Sequence, residues 1–273
     1  MAFSFYFFIY LALSQMWNLL AGYAKLFSLG PQAFIGLSVY MFTVALNYWR
    51  WILPTSLLIA CLFAVVSAVA ISFLIFRMKG IYFAVGTLLF SEILRIWFTT
   101  WGYTRGTYGI SLNLTLPFQY IYCLSVGVGA LSTTIIWIIS ESNFGLSLKA
   151  IGDDEDLAQH MGVHVFKYKL ACFIISTLMT GLAGCIYYLY PSYVHPNSVF
   201  NILWLFIASV ATFVGGVRTV EGPIIGSFIL VLLRQWLIDY PGLGYLLFGL
   251  MLVVIVAIFP KGIIEFLRRF LRR

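Results

Sequence analysis

Along its length the chain alternates long apolar runs with short polar breaks, and the runs have the length of membrane-crossing helices. A helix needs about 20 mostly apolar residues to cross the hydrocarbon core of a bilayer. On that measure the sequence predicts spans at 3–23, 26–46, 52–76, 80–101, 118–140, 170–190, 202–217, 223–237 and 243–259. The second carries Gly30, Pro31 and Gly36 near its start, the pattern of a broken or re-entrant helix, which is tolerated only where it is buried in protein or lines a cavity. The short seventh and eighth runs are separated by a stretch containing Gly215, Gly216, Gly222 and Pro223, readable as a tight turn or as part of a second broken element. The fold class expected is therefore all-α: a polytopic transmembrane helix bundle of about 8–9 spans, one domain over 1–273.

One interval breaks the apolar pattern. Residues 141–169 hold Glu141, Lys149, Asp153, Asp154, Glu155, Asp156, Lys167 and Lys169, eight of the chain's 16 basic and 9 acidic residues. Buried charge is too costly for such a stretch to lie in lipid, so it is read as a structured loop in water. Asp153, Asp154, Glu155 and Asp156 set negative charge where the first turn of a helix favours it. Leu157, Ala158, Met161 and Val165 follow at helical spacing, and Gly162 is the natural stop. The expectation is a two-turn amphipathic helix with one apolar face, suited to a groove on a partner protein.

Charge orients the bundle. With the N-terminus outside, twelve basic residues fall on the inner side, among them Lys25, Arg77, Lys79, Lys149, Lys167, Lys169, Arg218 and the tail 268–273, against Arg50 and Arg105 outside. The positive-inside rule then places 141–169 and the C-terminus in the cytoplasm. The same bias accounts for the net charge of +7 without nucleic acid as a partner, since the basic residues cap segments rather than cluster. Composition agrees: 62% hydrophobic and only 9% charged, against roughly 25% charged in soluble domains. The run 3–23 has no basic residue before it and no clear cleavage site, so it reads as a retained helix.

Candidate chemistry is sparse. Glu92 and Arg95 lie three apart in the fourth run and can pair on one helical face, either as a packing contact or on a substrate path. Asn18, Ser28, Gln32 and Thr87 are further intramembrane polar groups that a small solute could meet. Thr177, Gly181 and Cys185 form a small-residue stripe for close helix packing, against this chain or a partner subunit. The clusters Tyr48-Trp49-Arg50-Trp51 and Tyr187-Tyr188-Leu189-Tyr190 read as interfacial belts. The four cysteines and three histidines show no metal-ligand spacing, and no Gly-rich loop opens a helix as a P-loop would. No metal, cofactor or catalytic group is expected.

Several stretches together resemble a known family. The run Leu148-Lys149-Ala150-Ile151-Gly152-Asp153-Asp154-Glu155-Asp156-Leu157-Ala158-Gln159-His160-Met161-Gly162-Val163 is similar to the cytoplasmic coupling loop of ABC importer permeases, most closely the branched-chain amino acid permeases of LivM type. Trp17-Asn18-Leu19-Leu20-Ala21-Gly22-Tyr23, Arg77-Met78-Lys79-Gly80-Ile81-Tyr82-Phe83-Ala84 with Glu92-Ile93-Leu94-Arg95, Gly181-Leu182-Ala183-Gly184, and Glu221-Gly222-Pro223-Ile224-Ile225-Gly226 agree in order. The chain departs from the family at Lys25, usually a small residue, at Pro31, often His, and in the loop 104–110. The resemblance implies a multi-pass subunit of a prokaryotic inner membrane that carries no hydrolytic residues of its own. Its implied partners are a second homologous permease, two ABC ATPase subunits and an extracytoplasmic solute-binding protein. The implied cargo is branched-chain amino acids or similar small polar solutes. A secondary transporter or channel is the alternative, and it would need unpaired carboxylates within the spans.

Overall fold

A computed structural model describes residues 2–78 and 80–237, with Gly249 and Ile264; the rest of the ninth run, Lys79 and the basic tail lie outside the described residues. The chain enters as α1 (Ala2–Trp17), which continues as a π-helical turn and a half over Asn18–Tyr23. There follow α2 (Pro31–Asn47), α3 (Leu53–Ile75), α4 (Ile81–Thr100) and, after two 3₁₀ turns, β1 (Ile110–Ser111). Then come α5 (Phe118–Glu141), α6 (Asn143–Asp153), α7 (Glu155–His160), α8 (Val165–Leu189), β2 (Tyr193–Val194), α9 (Pro196–Val199), α10 (Leu203–Gly215) and α11 (Glu221–Leu237). Among the described residues, six stretches are long and apolar enough to cross a bilayer: Ala2–Tyr23, Leu53–Ile75, Ile81–Thr100, Phe118–Glu141, Val165–Leu189 and Pro196–Gly215.

The second run does not break midway. Residues 24–30 are non-helical, and α2 begins at Pro31, where the missing N–H is one the first turn leaves unused anyway. The helix is then buried almost end to end, packed against α3, α4 and α8. Its 17 residues reach only about 26 Å at 1.5 Å per residue, which a helix enclosed by protein tolerates. Gly181 of the α8 small-residue stripe lies directly on Ser38 of α2, so the stripe packs within this chain.

The region around Gly215 and Pro223 is a tight helical hairpin, not a broken helix. Pro223 sits in the first turn of α11, where its missing N–H leaves no intrahelical bond unmade. A side chain at Gly222 or Gly226 would run into the backbone at Gly216 or Ala211, so only glycine lets α10 and α11 approach this closely.

The bundle has two ends of different character. At one, rings dominate: Tyr40 stacks on Phe98 at 4.2 Å, Tyr48 on Tyr103 at 4.6 Å, and Trp97 on Trp101 at 5.1 Å. There β1 and β2 form a two-residue antiparallel ladder, pairing Ile110 with Val194. The expected belt at 187–190 is only partly outward: Tyr188 is buried and Tyr187 packs edge-on to Trp204 at 4.7 Å. Arg234 of α11 lies 3.6 Å over the Tyr6 ring and donates to the Tyr10 hydroxyl at 2.9 Å, fastening α11 to α1 without a carboxylate. The other end carries 24–30, the segment 142–164 and the 216–220 turn.

Candidate functional site

The polar interval folds as two short helices rather than one helix over 153–162. Ser142 caps α6 by accepting from the Gly145 N–H, and Leu148 and Ile151 bury its inner face. Asp154 then leaves helical geometry at φ −151°, and its carboxylate accepts the Leu157 N–H at 2.9 Å, capping α7. Asp153 therefore closes α6 and does not belong to the amphipathic helix. Glu155 and Asp156 occupy the first turn of α7, at the favourable end of its dipole.

α7 stops as the sequence suggests. Gly162 stands at φ +87°, its N–H donates to the Gln159 carbonyl, and the Val163 N–H donates to the Ala158 carbonyl. That pair of bonds is a Schellman motif, which satisfies the last carbonyls of a helix only two turns long. Ala158 points inward and is buried, whereas Leu157 and Met161, one turn apart, are 58% and 78% exposed. Beside them a groove of about 620 Å³ runs past Gln159, Val163, His164 and Lys167 onto Phe76 and Phe166.

Polar links tie this segment to the bundle. Glu155 accepts from Lys169 at 2.5 Å, and the lysine side chain is only 12% exposed, so the start of α7 is fixed to the start of α8. Asp153 accepts from Arg218 Nη2 at 3.0 Å, with Lys25 Nζ 3.5 Å from the same oxygen. The Arg218 guanidinium, then Lys25, holds the Asp153 carboxyl below the usual carboxylate range.

The intramembrane polar residues separate into three places. Asn18 grips the 216–220 turn: its Oδ1 accepts the Arg218 N–H and its Nδ2 donates to the Thr219 carbonyl, both at 2.9 Å. Ser28, Gly30 and Thr87 meet where α2 begins: Thr87 Oγ1 accepts the Leu29 N–H at 2.9 Å, Ser28 Oγ accepts the Gly30 N–H, and Gly30 lies on the Thr87 backbone. Gln32 donates to the Leu29 carbonyl beside them, while its Oε1 is buried without a protein partner. The adjoining cavity, between Trp17, Ser28, Pro31 and Thr177, holds about 10 Å³, the volume of one water and far below that of an amino acid. Glu92 and Arg95 do pair, Arg95 Nε donating at 2.8 Å, and Arg95 Nη1 also donates to Asn197 in α9. Both side chains stay part-exposed on the outer face of α4, so the pair joins two elements at the surface instead of filling the core. Gly216 is in the left-handed region, φ +132°, and closes α10.

Sequence reasoning missed Arg218, Lys25, Lys169 and Thr219 as members of this site. Arg218 and Lys25 carried a signal: each is a single basic residue in a short interval between two apolar runs.

Apolar helices stacked in this way, with a capped helix held out at one end, define a multi-pass membrane protein. Comparison with known proteins narrows it. The chain belongs to the family of branched-chain amino acid transport system permease components, whose model matches residues 1–256. It is 23% identical to the high-affinity branched-chain amino acid transport system permease protein LivM of Escherichia coli (strain K12), over 95% of this chain and 68% of that protein. A probable branched-chain amino acid transport permease protein LivH of Methanocaldococcus jannaschii is 30% identical over 44% of this chain and 39% of its own length. A putative glucose ABC transporter permease protein, TsgC13 of Haloferax volcanii, is 31% identical over 44% of this chain and 31% of its own. No solved structure matches. The chain is thus an ABC-type permease component of the inner membrane.

Proposed function

We propose that this chain is the membrane-spanning subunit of an ATP-driven importer that carries branched-chain amino acids, or small polar solutes like them, into the cell. α7 docks in a groove of an ATPase subunit, and nucleotide-driven closure rocks the bundle between outward- and inward-facing states. A second, LivH-like permease completes the pathway, and an extracytoplasmic binding protein delivers the solute. The N-terminus lies outside and the segment 141–169 and the C-terminus lie in the cytoplasm, in keeping with the twelve-to-two distribution of basic residues. Helices α2 and α11 add to these spans, towards the eight or nine expected of the bundle.

One observation carries the docking claim: Leu157 and Met161 stand exposed on a helix capped at both ends and anchored on its opposite side by Ala158. A two-turn helix gains little from its own hydrogen bonds, so apolar side chains held outward on it are best accounted for by a partner's groove. The family model and the LivM likeness support the amino-acid cargo. The secondary-transporter alternative gains nothing from Glu92, whose carboxylate is already paired.

The test is copurification of the ATPase subunit with the tagged permease from host membranes. Met161→Asp and Gly162→Asp are expected to lower it about tenfold or more, an interface hot-spot effect. Full copurification with undiminished leucine uptake would sink the reading.

A further inference from the structure

Accepting α7 as the docking helix, we propose that the Asp153–Arg218 bridge is the positioning contact through which its movement reaches the membrane-embedded core. The route runs from Asp153 at the end of α6, across Arg218, into the α10–α11 turn and the π-helical end of α1.

Arg218 is built as a junction. Its Nη2 donates to Asp153 Oδ1 at 3.0 Å, its Nε to the Gly22 carbonyl at 2.8 Å, and its backbone N–H to Asn18 Oδ1 at 2.9 Å. Gly22 lies in the last turn of the π-helix, where carbonyls lack intrahelical partners. One planar guanidinium thus spans the cytoplasmic segment and α1 at once, a geometry lysine's single nitrogen does not reproduce. Beyond Arg218 the turn is gripped again: Asn18 donates to the Thr219 carbonyl and Gln15 to the Val220 carbonyl, both at 2.9 Å. Deeper in the same helices, Thr212 donates to the Ser14 carbonyl and Ser14 meets Ser227 at 2.8 Å. A displacement of the turn is therefore handed directly to α1, α10 and α11.

The conformation of the junction fits a part that moves. Arg218 is held at φ +65° and Lys25, which shares Asp153, at φ +48°. Non-glycine residues persist there only while surrounding bonds hold them, so a change in those bonds changes the shape of the turn. The bridge is also breakable: Asp153 is 64% exposed and Arg218 34%, and ion pairs so placed add little to static stability. The Glu155–Lys169 link takes a different route: it joins α7 to the helix that follows it, so it keeps α7 in place without reaching the turn.

The experiment uses the permease assembled with its ATPase partner and compares wild type with Asp153→Asn, Asp153→Glu and Arg218→Lys. Three quantities are read: copurified ATPase, ATP hydrolysis, and the change in amide exchange of residues 215–222 on adding ATP with orthovanadate. Exchange needs no knowledge of the cargo; uptake of radiolabelled leucine is the fourth readout. Asp153→Asn and Arg218→Lys are expected to keep assembly and hydrolysis within about twofold. The nucleotide-dependent exchange change is expected to be lost and uptake to fall about tenfold, a typical coupling loss. Asp153→Glu, which keeps the charge, is expected to recover most of both. Exchange and uptake unchanged in Asp153→Asn, or hydrolysis and uptake falling in equal proportion, would overturn the proposal while leaving docking intact. An ATPase that fails to copurify with wild type overturns both readings, and that result is visible before any variant is made.

Discussion

The two ends of the bundle are held by different forces. At the ring-lined end, Tyr40, Phe98 and Phe200 pack on one another, Trp97 lies parallel to Trp101, and Arg234 is pressed onto Tyr6. Those contacts are short-ranged and close-packed. At the other end the elements are joined by directional bonds to charged or amide groups: Asn18 and Arg218 to the 216–220 turn, Asp153 to Arg218, Lys169 to Glu155. Packed rings resist displacement in every direction, whereas a few directional bonds can be exchanged for others at small cost. On the proposed coupling route, the second end is the part that moves against the first.

The largest expected effect tests whether the hairpin at the directional end relies on packing as well. Gly226→Leu forces α11 off the Ala211 backbone, and no rotamer relieves a backbone contact. We expect a loss of more than about 3 kcal/mol and little monodisperse protein in fluorescence-detected size exclusion. Next is Asn18→Ala, which strips the Arg218 N–H and the Thr219 carbonyl of their partners in a part-buried turn. Two unpaired groups cost roughly 2–4 kcal/mol together, read as a lowered melting temperature and faster exchange at 215–222. If the melting point holds, the directional bonds are not what fixes this end.

A third variant probes the stacked end from the opposite side. Tyr40 is fully buried against Phe98 and Phe200, and its hydroxyl is buried without a hydrogen-bond partner. If stacking alone holds this end, Tyr40→Phe keeps every contact and removes an unpaired polar group. The expected change is neutral to about 1 kcal/mol stabilising in thermal melts. A clear destabilisation would mean that the hydroxyl is in use, and the contrast between the two ends would weaken.

The contrast also explains what could be read from the sequence. Span positions follow from composition over 20 residues, so α1, α3, α4, α5 and α8 fall within a few residues of expectation. Helix α7 was legible because its cap, exposed apolar pair and stop are all local: Asp154, Leu157, Met161 and Gly162. The helix boundary at Asp153 was not, because four consecutive acidic or acid-capping residues leave open which of them caps; the structure chooses Asp154 because Asp153 is already engaged by Arg218. Asn18 and Thr87 were visible as polar groups in apolar runs, but their partners lie 201 and 58 residues away. One-dimensional pattern carries no record of such pairings. Whatever depends on long-range directional bonds stayed hidden, and that is the property that sets this end apart.

The smallest expected effect separates the ends by pH. Arg218 and Lys25 hold the Asp153 carboxyl below its ordinary value of 3.8, so the folded state binds a proton there less readily than the unfolded chain. The contribution of the bridge is therefore complete at neutral pH, remains complete down to the ordinary carboxylate value, and is lost as pH falls through the lower folded value. Between pH 8 and about pH 5, wild type and Asp153→Asn should keep a constant difference in exchange at 215–222, which closes only under more acid conditions. Probes in the stacked end, such as amides near Tyr40 and Trp97, should show no matching step. A step near neutral pH at 215–222 would point to a different titrating group and would remove Asp153 as the residue that links the segment to the turn.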